Sequence, residues 1–330
     1  MTIKFSDDRG LICGFLLSSQ GGMKSLEWEA AVSALNQPDG SPVWLHFSLN
    51  DSRARHWIET CDRLPPSARA LFLESEPRIQ IESAGNGFMG VLGDLHYEFN
   101  ADPDELGVLR LYVDQQCVIS GRRQPLKAID RLRRELLDGL SLDTPTHLVI
   151  HFVQHLTEMF SSVVADHGDR IDDIEDRILK AHFQSERGAL GQIRRLLTRL
   201  HRQVRANRHA LVNLMARLPH WCHETDELLL RRNIERLDAV VQDLELVQER
   251  ARLLQEEIAG QLEEAVNRNL YVLSIVTTLF LPITLISGIF GMNIGGLPWT
   301  EDPLGYGKVM LAMLAILAVT IAVLRRQRLF

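Results

Sequence analysis

The sequence predicts an α+β membrane protein. An N-terminal α/β sandwich domain is followed by a helical layer and a very long stalk helix, which continues into the first of two C-terminal transmembrane helices. Three observations predict this. Short β-patterned runs occupy residues 10 to 120, and an almost unbroken helical pattern follows from Pro125. No Asp, Glu, Lys, Arg or His occurs from Asn269 to Thr300, in a chain of 330 residues that is 24% charged. That length leaves room for a soluble core and a membrane part.

The N-terminus "MTIKFSDDRG" is charged and has no apolar h-region, so no cleaved signal peptide is expected. Candidate strands follow in "GLICGFLLSS", "PVWLHFSLN", "RIQIES", "FMGVLGDLHYEF", "GVLRLYVD" and "CVISG". Residues 51–75 read as two helices divided at Pro65–Pro66. "GNGFMG" at Gly85–Gly90 fits a dinucleotide-binding pattern, but a strand follows it where that fingerprint needs a helix, so a hairpin turn is expected. This first domain is assigned to residues 1–124.

A helical layer is assigned to 125–223, with three helices of about 16, 35 and 30 residues ending near Leu218. From about Glu224 a further helical pattern meets no proline until Pro282. It predicts one helix of roughly 65 residues, about 100 Å long. The stalk part is 224–269 and the membrane part 270–330. Residues 187–217 hold eight arginines and no acid, whereas 224–264 hold twelve acids and five arginines. Mutual neutralisation of these two helices is expected rather than nucleic-acid binding, and the net charge of −7 agrees. Cys13, Cys61, Cys117 and Cys222 are far apart without CxxC spacing, which points to a reducing compartment and away from disulfides.

The first span, about 270–291, begins with 21 uncharged residues from Leu270 to Phe290, and the second covers about 305–324. Arg268, Arg325, Arg326 and Arg328 flank the spans on one side, while the connecting loop 291–304 carries Glu301 and Asp302. Positive charge stays inside, so both termini are expected in the cytoplasm of a bacterial cell, with the loop outside its inner membrane. Lys308 is expected to snorkel at the membrane edge.

Spacings of 3 and 4 along the first span place Asn267, Leu270, Ser274, Thr277, Leu281, Thr284, Gly288 and Gly291 on one stripe. Six of these eight are polar or small. A lipid-facing stripe would not be, so it lines either a tight helix contact or an aqueous path.

The loop "GMNIGGLPW", at the end of the first of two C-terminal spans behind a long stalk, resembles the CorA superfamily of divalent cation transporters. Glycines after the Asn resemble its ZntB-like zinc branch, where magnesium members carry an acid and an aromatic. The resemblance implies a funnel-shaped homopentamer in the lipid bilayer, with the first span of each subunit around a central pore. It also implies an entrance ring formed by Asn293, with Gly291 and Met292 in the same signature. Amide and carbonyl oxygens there would bind a divalent ion through its water shell without stripping it. Glu301 and Asp302 would concentrate cations outside the filter. Zinc is the expected cargo, and no resident cofactor is expected. No Asp, Glu, Lys, Arg or His side chain lies in the first span, so any coupled protons would move with water.

Softer ligands occur in the cytoplasmic part. "THLVIHFVQH" sets His147, His151 and His155 at i, i+4 and i+8, and "HWCHE" offers Cys222 and His223. Zinc favours N and S donors, so these are candidate sensing sites, with His155 and Cys222 as the leading pair. A magnesium or broad-range channel, and a membrane-tethered metal sensor, are the competing readings. No nucleophile–base pair or phosphate loop supports an enzyme.

Overall fold

Alternation sets the faces of the sheet. Val43, Leu45 and Phe47 point to one side of their strand and Trp44 and His46 to the other, and all five are buried, so both faces are covered. The structure is a computed structural model that describes residues 9–18, 24–37, 40–96, 106–179, 183–292, 295–299 and 302–326, without the side chains of 179 and 183–185. The chain divides into two compact units, Met1–Gln255 and Glu256–Phe330.

The first unit holds strands β1 (Leu11–Leu16), β2 (Lys24–Ser25), β3 (Val43–Ser48), β4 (Gln80–Ala84), β5 (Gly87–Leu95), β6 (Leu106–Val113) and β7 (Cys117–Arg122). They form one sheet in the order β2-β1-β3-β7-β6-β5-β4, antiparallel except where β3 runs beside β7. Helices α1 (Trp28–Leu35), α2 (Ser52–Thr60) and α3 (Pro66–Leu73) cover one face, packing Ala31, Ile58 and Phe72 onto Leu45, Phe47 and Ile119. The sequence reading missed α1 and β2. Both are too short for a periodic signal, and burial of Ala31 and Leu35 is what holds α1 in place. "GNGFMG" does form a hairpin: Gly85 and Asn86 turn β4 into β5, with Gly85 at φ +59°.

The other face carries α4 (Lys127–Leu137) and α6 (Phe183–Met215). Asp94 on β5 accepts from Ala128 N at 3.1 Å and Ile129 N at 3.4 Å, capping α4. Burial outweighs these donors and pushes the carboxyl up to about 7. Arg122 of β7 pairs with Asp130 of α4 at 2.6 Å. Asn207 of α6 bonds Gly93 N at 2.7 Å and Gly93 O at 2.8 Å. A Cβ on Gly93 would lie 2.3 Å from Gln203 Nε2, so α6 approaches as closely as it does because Gly93 has no side chain. Helix α4 has eleven residues rather than about 16, since the chain turns at Gly139 with φ +108°.

Helix α5 (Pro145–Leu179) and α7 (Glu224–Phe290) complete the helical layer, and α8 (Gly305–Arg326) follows the loop. Helix α7 is continuous over 67 residues with Pro282 inside it. Contact between α7 and α6 is made by Arg208 with Asp238 and His201 with Glu245. Arg250 of α7 turns instead to Asp172 and Glu175 of α5. Neutralisation of the basic helix by the acidic one is therefore only partial: among the described residues no acid pairs with Arg195 or Arg202. All four cysteines are free thiols.

Candidate functional site

Among the described residues, three helices are long and apolar enough to cross a membrane: α5, α7 and α8. In α5 more than half of the apolar window is buried within the first unit, so protein covers it. In α7 none of that window is buried, and in α8 6% is. Leu281, Leu285, Leu311 and Phe280 are each more than 60% exposed. Each such side chain left in water forgoes about 1.5–3 kcal/mol of burial, so this surface belongs in lipid or against other protein.

Exposure along the second unit has a direction. On the apolar span of α7 the half-covered residues are Ile275, Leu279, Pro282, Ile283, Ile286 and Phe290. On α8 the covered row is Val309, Ala312, Met313, Leu317, Thr320, Ile321 and Leu324, again at spacings of 3 and 4. Asn267, Leu270, Ser274, Thr277, Leu281, Thr284 and Gly288 are all exposed. At 3.6 residues per turn, the mean direction of that stripe is roughly 170° from the half-covered row of α7. The polar stripe lies on the side of the helix that none of the described residues covers.

Two of its hydroxyls are oriented by the helix itself. Thr277 Oγ1 donates to Leu273 O and Thr284 Oγ1 to Phe280 O, each at 2.8 Å. Their protons are thereby used within the helix, and only acceptor lone pairs remain for whatever faces the stripe.

At the end of α7, Gly291 N still reaches Ser287 O at 2.9 Å and Met292 N reaches Ile289 O at 3.3 Å. Asn293 and Glu301 lie outside the described residues. Trp299 has φ +65°, and a Cβ on Gly305 would meet Trp299 O at 2.1 Å, so the return into α8 needs a glycine there. Asp302 accepts from Leu304 N at 2.9 Å, capping α8, and its other oxygen is bound by Lys308. Lys308 thus reaches outward to the loop, and it offsets the field of Asp302. Sequence reading missed this pairing, although an Asp six residues before a Lys at a helix start was a visible signal.

The cytoplasmic candidates are dispersed. Among the described residues, no group of three or more His, Cys, Asp or Glu side chains is arranged to hold a metal. His155 Nε2 lies 2.7 Å from Glu135 and Nδ1 3.7 Å from Glu158, without hydrogen-bond alignment. His147 Nε2 lies 3.1 Å from the buried Asp226. Cys222 Sγ is 3.8 Å from Thr146 Oγ1, and burial pushes its thiol up. Thr146 and His155 are nine residues apart on α5, about 13 Å, so His155 and Cys222 do not form one site. His151 is held below the ordinary imidazole range by burial and by the neighbouring His155 and His147. The backbone N of His223 caps onto Asp226 at 3.1 Å.

A mixed sheet flanked by helices, a helix that becomes an apolar span and a second apolar helix behind it define a membrane protein with a large soluble part. Residues 39–326 match the family described as CorA-like Mg2+ transporter protein, and the chain belongs to that family. The family is one of transporters, not of enzymes. The chain is similar to the zinc transport protein ZntB of Yersinia pseudotuberculosis, with 27% identity over 311 residues, covering 94% of this chain and 93% of that protein. It is similar to the divalent cation transporter CmaX of Pseudomonas aeruginosa, with 28% identity over 324 residues, 98% of this chain and 97% of that one. The solved structure of full-length CmaX superposes with a TM-score of 0.84, covering 98% of this chain and 99% of that chain.

Proposed function

We propose that the protein transports divalent cations, zinc foremost, as a homopentamer in the bacterial inner membrane. The first spans surround the pore, and both termini are cytoplasmic. The observation that carries this reading is the polar row of α7 on the side opposite its half-covered row. A helix serving only as an anchor has no use for Ser274, Thr277 and Thr284 on its uncovered side. Copies of α7 placed with that side inward would surround an axis lined by oxygen acceptors, which suits a cation that keeps its water.

Asn293 then supplies a ring of amide oxygens at the outer mouth, backed by the Gly291 carbonyls, with Met292 between them. The ring carries no charge, so an ion held there through water is released as readily as it enters. Protons, if coupled, travel with water, because the first span has no Asp, Glu, Lys, Arg or His side chain. The likeness to ZntB favours zinc. The likeness to CmaX favours a broader divalent range. Dye-reported flux into proteoliposomes with zinc, magnesium and cadmium, with and without a pH gradient, separates the two. Zinc flux above the others, lost in Asn293→Ala, is the expected result; undiminished flux in that variant defeats the filter assignment.

A further inference from the structure

Two clefts along α6 share the side chains of Arg199 and Arg202. One, of about 400 Å³, is lined by arginines 194, 195, 199 and 202, with Gln255 of α7 holding Arg194. The next, of about 530 Å³, adds Arg78 and a less polar floor that includes Ile79, Leu106 and Val108. Among the described residues, no acidic side chain lines either cleft.

Arginines on an exposed helix are ordinarily solvated or paired with acids. Here the pairing is missing where it was expected. Residues 187–217 contain no acid, and the acids of α7 reach Arg208 and His201 but not Arg195 or Arg202. Arg78 likewise has no acidic partner among the described residues. Arg199 has a contact of its own and is counted only as a wall. Unpaired guanidinium groups therefore border a recess with an apolar floor beside it. Planar, forked guanidinium donors match phosphate oxygens geometrically. A volume of this order suits a small metabolite.

We infer that these two adjoining clefts together bind a soluble molecule bearing a phosphate chain, such as a nucleoside di- or triphosphate. Its phosphates lie on Arg195, Arg202 and Arg78, and its less polar part lies on Ile79, Leu106 and Val108. The site is in the first unit and is independent of the pore reading.

Equilibrium binding of labelled ATP to the full-length protein in detergent, with chelator present, tests it. Inorganic triphosphate and short-chain phosphatidic acid serve as competitors. Expected are saturable ATP binding, competition by triphosphate, and at least a tenfold loss of affinity in Arg195→Glu/Arg202→Glu. Arg187→Glu/Arg217→Glu, which reverses two exposed arginines outside both clefts, should change affinity less than twofold. Elution volume and melting temperature establish that both variants are folded. Equal losses in the two variants would reduce the effect to net charge and overturn the site. So would the absence of saturable binding by ATP and triphosphate in the wild type. Binding of phosphatidic acid alone would make the ligand a lipid headgroup and overturn the soluble assignment.

Discussion

Replacing Thr277 and Thr284 together by valine isolates what the polar stripe does. Valine keeps the shape and β-branching of threonine and removes only the oxygen. Each hydroxyl already gives its proton to the carbonyl four residues earlier, at 2.8 Å, so what the stripe loses is one acceptor at each position. A neutral hydrogen bond contributes about 1 kcal/mol net, so two lost positions raise the barrier for a hydrated ion by about 2 kcal/mol, roughly a 30-fold fall in flux. Thr278 supplies the control. Its hydroxyl donates to Ser274 O, also at 2.8 Å, but it sits about 100° around the helix from Thr277. The back-bonding lost in Thr278→Val is the same per position, so each single variant, Thr277→Val and Thr284→Val, is compared with it and the effect on the helix cancels there. Zinc flux into proteoliposomes, normalised to inserted protein, is the assay. Equal losses in Thr278→Val, or full flux in the double variant, would refute the assignment of the stripe to the ion path.

Three further outcomes are expected. Asp94 keeps its proton in the folded protein up to about pH 7, whereas an ordinary aspartate releases it near 3.8, so stability falls as pH rises through that window, by roughly 4 kcal/mol at most. Asp94→Asn retains an acceptor for α4 and should flatten the slope of melting temperature against pH; an unchanged slope would assign the dependence elsewhere. Gly93→Ala drives a methyl into Gln203 and should cost about 1–3 kcal/mol, partly restored by Gln203→Ala, as read by thermal unfolding of single and double variants. Because Thr146, which Cys222 touches, lies about 13 Å along α5 from His155, zinc titration of His155→Ala, Cys222→Ala and the double variant should show no coupling between them; a synergistic loss would mean that the two share an ion.

Much was legible in the sequence because the signals were long or strongly patterned. Twenty-one uncharged residues cannot rest in water, and an acidic, proline-free run up to Pro282 admits one helix, which is observed over Glu224–Phe290. The period of the first span placed Ser274, Thr277 and Thr284 on one stripe before any neighbour was known. Tertiary structure alone decided what that stripe faces, because periodicity fixes which residues share a side but not which side a second helix covers. It also separated His155 from Cys222, bound Asp302 to Lys308, and left Arg195 and Arg202 without the acids that composition had promised them. Charge totals ignore distance, and ion pairs form only where side chains meet within a few ångströms, which depends on how each helix is rotated about its own axis.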